Sequence, residues 1–253
     1  MSLTHRTTGE VVKQQVVFKL RSNVTVFTVL FVIQAIVMGL MIDGLSVPVG
    51  FSMSNIDFRW YTFTNDRIVI ASVFWAPVVG LLMATPRQRN ASFMYVSTPV
   101  TDNLANFCFF GIAAIIAGIT TVLSGSVMKL VMFMKDGNSI IETPGLIAAP
   151  LDFFSRIAVM TLYFLLVMVV VYTCMLFVQM NYLMIIPFVL LVLFSTNSSV
   201  LEFLGIEGNI TSIFDYFYRE SSFGFFLVKT GAVMVIVSAF SFFPSARIEV
   251  KQS

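Results

Sequence analysis

The stretch TPRQRNASFMYVSTPVTDNLAN, residues 85–106, lies between two long runs of apolar residues. It carries Arg87 and Arg89 beside the end of the first run, and Pro86 and Pro99 interrupt its backbone. Membrane proteins retain Lys and Arg on the cytoplasmic side, close to the ends of their spans. The stretch therefore predicts a cytoplasmic segment that joins two membrane-spanning helices.

The middle of this segment, residues 91–96, favours a short helix that follows an arginine-bearing turn. Such a helix would present Phe93, Met94 and Tyr95 to the cytosol. A short aromatic helix at a membrane surface is typical of a docking element for a partner. The alternative is an ordinary solvated turn that holds an apolar cluster.

The composition of the chain indicates that lipid, and not water, surrounds most of it. Of its 253 residues, 58% are hydrophobic and 11% are charged, whereas soluble domains average roughly 45–50% apolar and about 25% charged residues. A globular fold in water could not hide this much apolar surface. We therefore expect an all-α integral membrane protein that forms a single domain over residues 1–253.

Several classes of chemistry are excluded by the sequence. The net charge of +2 and the absence of a basic arm argue against nucleic-acid binding. His5 is the only histidine, and Cys108 and Cys174 lie inside apolar runs, so we expect no metal site and no catalytic dyad or triad. No Walker A motif, glycine-rich phosphate loop or zinc-protease motif occurs. The chain is therefore not expected to be an enzyme.

The apolar runs predict six transmembrane helices, since a crossing needs about 20 residues. Polar loops are expected at 43–67 and 134–150, and a tight turn is expected between the fourth and fifth spans. The predicted spans are about 24–42, 68–84, 107–133, 157–178, 183–194 and 223–243.

The N-terminal segment, residues 1–23, has helical spacing of its apolar residues. Val12, Val16, Val17 and Leu20 fall on one face, which predicts a basic amphipathic helix lying in the membrane interface. A disordered tail is the alternative. Because basic residues near the ends of the spans collect on this side, we expect both termini to be cytoplasmic.

Residues 195–222 resemble neither a span nor a loop. Apolar and acidic residues alternate there around a central pair of glycines, which predicts a re-entrant helical hairpin that dips into the membrane without crossing it. A surface helix lying on lipid is the alternative. The residues expected to form an outer gate are Glu202, Gly205, Glu207, Gly208 and Phe214.

Two further features lie inside the spans. Gly111, Ala114 and Gly118 form a small-residue face of the kind that lets helices, or two subunits, approach closely. Lys129 and Lys229 are charges within apolar runs, either functional or extended toward the outer interface.

This layout resembles the permease subunits of type-two ABC transporters, a mostly exporting class, over nearly the whole chain. The resemblance rests on the N-terminal amphipathic helix, the turn Arg87-Gln88-Arg89-Asn90, the short helix after it, the step Thr98-Pro99-Val100-Thr101 and the hairpin before the last span. In that family the short cytoplasmic helix docks on a separate ATPase subunit. The residues that the resemblance assigns to this coupling are Arg87, Arg89, Asn90, Phe93, Met94 and Tyr95.

The resemblance implies a permease driven by a separate ATPase, which would bind the ATP and Mg²⁺, with no cofactor on this chain itself. It also implies a homodimer, or a heterodimer with a related permease, surrounded by the lipids of a bacterial cytoplasmic membrane. An amphipathic or hydrophobic substrate is expected, a peptide or antibiotic by preference. The alternative function is a non-pumping immunity or binding protein for a toxic peptide.

Overall fold

The computed structural model describes residues 7–42, 48–53, 56–61, 66–92, 98–136, 149–181 and 223–250. The elements, numbered in chain order, are two initial helices, a two-stranded hairpin and five further helices. They are α1 (Thr8–Ser22), α2 (Val24–Ile42), β1 (Pro48–Met53), β2 (Ile56–Tyr61), α3 (Asp66–Ala84), α4 (Pro86–Ser92), α5 (Pro99–Asp136), α6 (Pro150–Met180) and α7 (Phe223–Val250).

Five of the helices in the described ranges are long and apolar enough to cross a membrane, so the chain has the character of a multi-pass membrane protein. These candidate spans coincide with five of the six predicted ones, and the remaining prediction, 183–194, lies outside the described residues. The spans are Val24–Met41, Asp66–Ala84, Pro99–Val131, Pro150–Met180 and Gly224–Pro244.

Two of the helices begin earlier than the sequence predicted. Helix α5 begins at Pro99, where position 107 was expected, and α6 begins at Pro150, where position 157 was expected. The predicted starts were wrong because polar residues were assigned to loops although they form the first turns of helices. Asp102 and Asp152 each lie in such a first turn, where a negative charge favourably faces the helix dipole.

The start of α5 is fixed by reciprocal hydrogen bonds. The backbone N–H of Thr98 donates to Thr101 Oγ1 at 2.9 Å, and the backbone N–H of Thr101 donates to Thr98 Oγ1 at 3.3 Å. Pro99 occupies the first helical position, where its missing N–H costs nothing. The sequence Thr-Pro-Val-Thr is therefore a helix start that satisfies its own backbone donors.

The loop predicted between the first two spans contains a β-hairpin, whereas the other described elements are all helices, as expected. Strands β1 and β2 pair antiparallel, with Pro48 opposite Tyr61 and Met53 opposite Ile56. The sequence here alternates apolar residues with small or charged ones, which is the period of a strand. The prediction of a plain loop was wrong because it used the polarity of the segment and overlooked this period.

The core lies around α6, which packs against α3, α5 and α7. Its centre is aromatic: Phe110 and Tyr172 stack edge to face with ring centroids 5.4 Å apart, and Phe164 is buried beside them. Outward side chains such as Phe74 and Phe225 are exposed in the isolated chain, as expected of residues that face lipid.

Helix α1 is present, but its predicted apolar face agrees only in part with the side that is buried. It packs against α5 and buries Val12, Gln15 and Lys19. Val17, which was assigned to the apolar face, remains 41% exposed. The protein-facing side of this amphipathic helix is therefore partly polar, because α5 offers polar partners at the same level.

Helix α4 also differs from its prediction. Residues 87–90 were expected to form a turn, whereas they belong to the helix Pro86–Ser92. Thr85 supplies the reason, since its carbonyl oxygen accepts the backbone N–H groups of Gln88 and Arg89 and so begins the helix. Residues 93–96 of the predicted short helix lie outside the described residues.

Candidate functional site

A buried ion pair joins α1 to α5 at the end of the bundle where α4 lies, which we call the α4 end. Lys19 Nζ donates to Asp102 Oδ1 at 2.6 Å and also to Asn106 Oδ1. The Lys19 side chain is only 1% exposed. A buried ammonium group is tolerated only when it is paired and hydrogen-bonded, and here both conditions are met.

The pair continues into a chain of hydrogen bonds that reaches α6. Asn106 Nδ2 donates to the Tyr172 hydroxyl at 2.9 Å, and that hydroxyl donates to Asn103 Oδ1 at 2.6 Å. We call these five residues, Lys19, Asp102, Asn103, Asn106 and Tyr172, the Lys19 network. It ties α1, α5 and α6 together through directional contacts.

The spacing on α5 explains how one helix supplies three members of this network. Asp102 and Asn106 are four residues apart and share a face, so both reach Lys19. Asn103, the next residue after Asp102, reaches toward α6 instead. Burial lowers the pKa of the Lys19 ammonium, while the nearby Asp102 carboxylate acts in the opposite direction.

Some polar atoms beside the network have no partner. Gln15 lies four residues before Lys19 on α1, and neither its amide nitrogen nor its amide oxygen is hydrogen-bonded within the described part of the chain. The same is true of Asn103 Nδ2. Each such buried group costs about 1–3 kcal/mol. The contact between α1 and α5 therefore contains unfavourable groups beside its favourable ion pair.

A second set of contacts holds α4 against the bundle. Arg89 Nη1 donates to Gln179 Oε1 at 3.5 Å, and Gln179 Nε2 donates to the carbonyl oxygen of Ala84 at 2.5 Å. Gln179, near the end of α6, thus contacts both the end of α3 and α4. Arg87 projects from the same short helix and is exposed.

Most of the predicted coupling and gate residues lie outside the part of the chain that the structure describes. Arg87 and Arg89 lie on α4, and of Asn90 only the backbone belongs to the described helix. The others, Phe93, Met94, Tyr95, Glu202, Gly205, Glu207, Gly208 and Phe214, lie outside the described residues, as does the whole predicted hairpin.

The small-residue face of α5 lies against α6 of the same chain. A Cβ added to Gly118 would collide with Thr161 Oγ1 and lie 3.1 Å from the carbonyl oxygen of Ile157. Ala114 is fully buried, whereas no atom of the described residues would lie within 4 Å of a Cβ at Gly111. Close helix approach therefore occurs at Gly118 and not at Gly111.

A polar cluster in the middle of the spans was missed by the sequence analysis. Gln34 Nε2 lies 3.0 Å from Ser72 Oγ and 3.1 Å from Thr121 Oγ1, and Ser124 Oγ donates to Gln34 Oε1 at 3.3 Å. Three helices, α2, α3 and α5, are joined by these contacts. The available signal was one glutamine in the centre of an otherwise apolar span.

The described residues contain no group of three or more His, Cys, Asp or Glu side chains that could hold a metal ion. Comparison with protein-family models, with curated proteins and with solved structures gives no match for this chain. The functional proposal therefore rests on the residues and contacts of the α4 end.

Proposed function

We propose that this chain is the membrane-spanning permease subunit of an ATP-driven exporter of the type-two ABC class. The observation that supports it is the way α4 is held. Gln179 connects α4 to α3 and α6, and the Lys19 network connects the start of α5 to α1 and α6. A force applied to the segment between α3 and α5 would reach four helices of the bundle.

Coupling in such a transporter needs contacts that carry a movement of the ATPase-binding segment into the spans. An ATPase that binds the segment between α3 and α5 would displace both ends of it, at Ala84 and at Pro99. Directional contacts follow directly on each end, through Gln179 on one side and Asp102 on the other. Closure of the ATPase subunit would then move α1, α3, α5 and α6 together.

The remaining parts of the proposal follow from the resemblance. ATP and Mg²⁺ are bound by the ATPase subunit, since this chain carries no nucleotide-binding motif. The permease works as a homodimer or a heterodimer in a bacterial cytoplasmic membrane, with both termini inside. It exports an amphipathic or hydrophobic substrate, preferentially a peptide or antibiotic.

Affinity purification in mild detergent, followed by mass spectrometry, tests the partner directly. We expect an ABC ATPase to co-purify with the native chain. Replacing both Phe93 and Tyr95 with Ala lowers the affinity at least roughly thirtyfold, because truncating one well-buried interface aromatic costs about 2 kcal/mol or more. Phe74→Ala is the matched control, because Phe74 is an exposed aromatic on the lipid-facing surface of α3.

The outcomes separate the pump from its alternative. If the native chain retains a peptide and no ATPase, it is a binding or immunity protein. If the Phe93 and Tyr95 double variant binds the ATPase as well as the Phe74→Ala control, the docking contact lies elsewhere on the chain.

The proposed orientation is tested by single-cysteine labelling in a variant that lacks Cys108 and Cys174. A cysteine at position 46 should react with an impermeant reagent in intact cells. Cysteines at positions 90 and 253 should react only after lysis. Labelling of position 90 from outside would contradict a cytoplasmic α4 and remove the basis for ATPase docking.

A further inference from the structure

A groove of about 560 Å³ runs along the α4 end, between the junction of α1 with α2 and the junction of α3 with α4. Its walls are partly apolar and include Val29, Val78 and Leu82, which are also exposed on the outer surface of the bundle. The groove therefore opens where the surrounding lipid would lie.

The depth of the groove is limited by a contact between two spans. Trp75 on α3 lines the groove, and its indole N–H donates to the carbonyl oxygen of Val26 on α2 at 2.9 Å. This hydrogen bond holds the two helices together behind the opening. An acyl chain could occupy the space in front of it without breaking a hydrogen bond of the protein.

The part of the groove nearest α4 is polar and carries a positive charge. Thr85 and Arg87 line the groove just beyond the end of the candidate span Asp66–Ala84, where a helix of that length would leave the hydrocarbon core. No acidic side chain of the described residues forms an ion pair with Arg87. The groove thus combines an apolar channel with a guanidinium group that has no ion pair within the described part of the chain.

We propose that this groove binds one anionic phospholipid of the surrounding membrane. Its acyl chain lies against Val29, Val78 and Leu82, and its phosphate lies at Arg87. The match is one of charge and polarity along the length of a single ligand: apolar tail to apolar wall, negative headgroup to the guanidinium group. The site requires no ATPase, although it shares Arg87 with the residues predicted to couple to one.

Tryptophan fluorescence in vesicles tests this proposal. The chain has two tryptophans, so Trp60→Phe leaves Trp75 in the groove as the only reporter. Brominated acyl chains quench a tryptophan that they contact. The protein is placed in phosphatidylcholine vesicles containing equal fractions of brominated phosphatidylglycerol or of brominated phosphatidylcholine, and the apparent affinity of each lipid for the Trp75 site is compared.

We expect phosphatidylglycerol to be preferred about fivefold, the factor that corresponds to about 1 kcal/mol for one basic residue near an anionic lipid. Arg87→Gln should abolish the preference. Arg21→Gln is the matched control, because Arg21 is an exposed arginine at the same end of the bundle that does not line this groove. The control should keep the preference.

A second pair of variants tests the position of the acyl chain. Val78→Phe fills the groove and should reduce quenching by both brominated lipids. Val32→Phe is its control, because Val32 and Val78 are both 50% exposed but only Val78 lines the groove. Equal quenching by the two lipids, or equal loss of preference in Arg21→Gln and Arg87→Gln, would overturn the proposal. Unchanged quenching in Val78→Phe would also overturn it.

Discussion

Lys19 and Asp102 form a buried ion pair, with Nζ and Oδ1 2.6 Å apart, although 83 residues separate them in the chain. One partner lies on an N-terminal helix outside the candidate spans, and the other lies in the first turns of α5. The pair therefore anchors a helix that the sequence would have left free on the membrane surface. Its consequences can be measured without knowing the substrate.

The first prediction concerns the removal of one partner. Lys19→Met leaves the Asp102 carboxylate largely buried without its counter-ion, and we expect a loss of about 3–5 kcal/mol in the free energy of unfolding. Lys13→Met is the control, because Lys13 is an exposed lysine on the same helix; we expect a change within about 0.5 kcal/mol. Unfolding in neutral detergent, followed by circular dichroism, gives both values.

The double variant, Lys19→Met with Asp102→Leu, separates the cost of an unpaired charge from the value of the pair. Replacing a buried pair by apolar residues is often neutral or stabilising. We therefore expect the double variant to regain most of the stability that Lys19→Met loses. If Lys19→Met were as mild as Lys13→Met, the ion pair would not be what holds α1 in place.

The second prediction is a pH dependence. The pKa of Lys19 is lowered from 10.5, chiefly by burial. Between that lowered pKa and 10.5, the unfolded chain binds more protons than the native state does. By linkage, the stability contributed at this site rises as the pH increases through that window. The native chain should therefore gain stability relative to Lys19→Met, measured by unfolding over the alkaline range. If the difference in the free energy of unfolding between the native chain and Lys19→Met stayed constant or decreased as the pH rose, the predicted direction would be contradicted.

The Lys19 network shows where reasoning from the sequence stops. Lys19 has the spacing of a solvated charge on an amphipathic helix, and only the position of α5 makes it a buried one. Asp102 and Asn106 lie in the polar stretch 85–106, which was assigned to a loop between two spans. Their spacing of four residues, which is that of one helix face, was therefore not used. Tyr172 lies in an apolar run, and nothing in its local sequence shows that its hydroxyl has two partners.

The spans were easier to predict, because lipid imposes the same apolar character along the whole length of a crossing helix. Five candidate spans agree with that pattern. The hairpin between α2 and α3 and the helical conformation of Arg87 and Arg89 were not predicted. Both depend on local backbone hydrogen bonding, such as the acceptance of two N–H groups by Thr85, which hydropathy does not register.

The third prediction uses glycines at helix contacts. A Cβ at Gly80 would lie 2.8 Å from the backbone oxygen of Met168, and one at Gly118 would collide with Thr161. Gly80→Ala should therefore cost about 1–3 kcal/mol through overpacking. Gly111→Ala is the control, since its Cβ would meet no atom of the described residues and Ala is favoured over Gly in a helix by about 0.5–1 kcal/mol.

The measurement is the free energy of unfolding of each glycine variant in the same detergent. Opposite signs are expected for Gly80→Ala and Gly111→Ala. A destabilised Gly111→Ala would mean that this face of α5 contacts something other than the described residues, such as another part of the chain or a second subunit. Equal, small effects at both positions would show that α3 and α6 can separate enough to admit a methyl group.

The fourth prediction concerns Gln34, which is 2% exposed in the centre of α2. Gln34→Leu removes its contacts to Ser72 and Thr121, whose hydroxyl groups keep their own hydrogen bond of 3.1 Å. Because those groups stay partnered and hydrogen bonds within membranes average about 0.6 kcal/mol, we expect a loss of only about 1 kcal/mol. Thr28→Val, at an exposed position on the same helix, should change stability less.

A double-mutant cycle between Gln34→Leu and Thr121→Val isolates the contact between the two side chains. A coupling of about 0.6 kcal/mol, the average for such pairs, would show that the cluster fixes the packing of α2 against α5. A gain in stability from Gln34→Leu would contradict that role, because it would show that the glutamine is an energetic burden in the folded bundle. The polar cluster would then have to serve a purpose other than holding the three helices together.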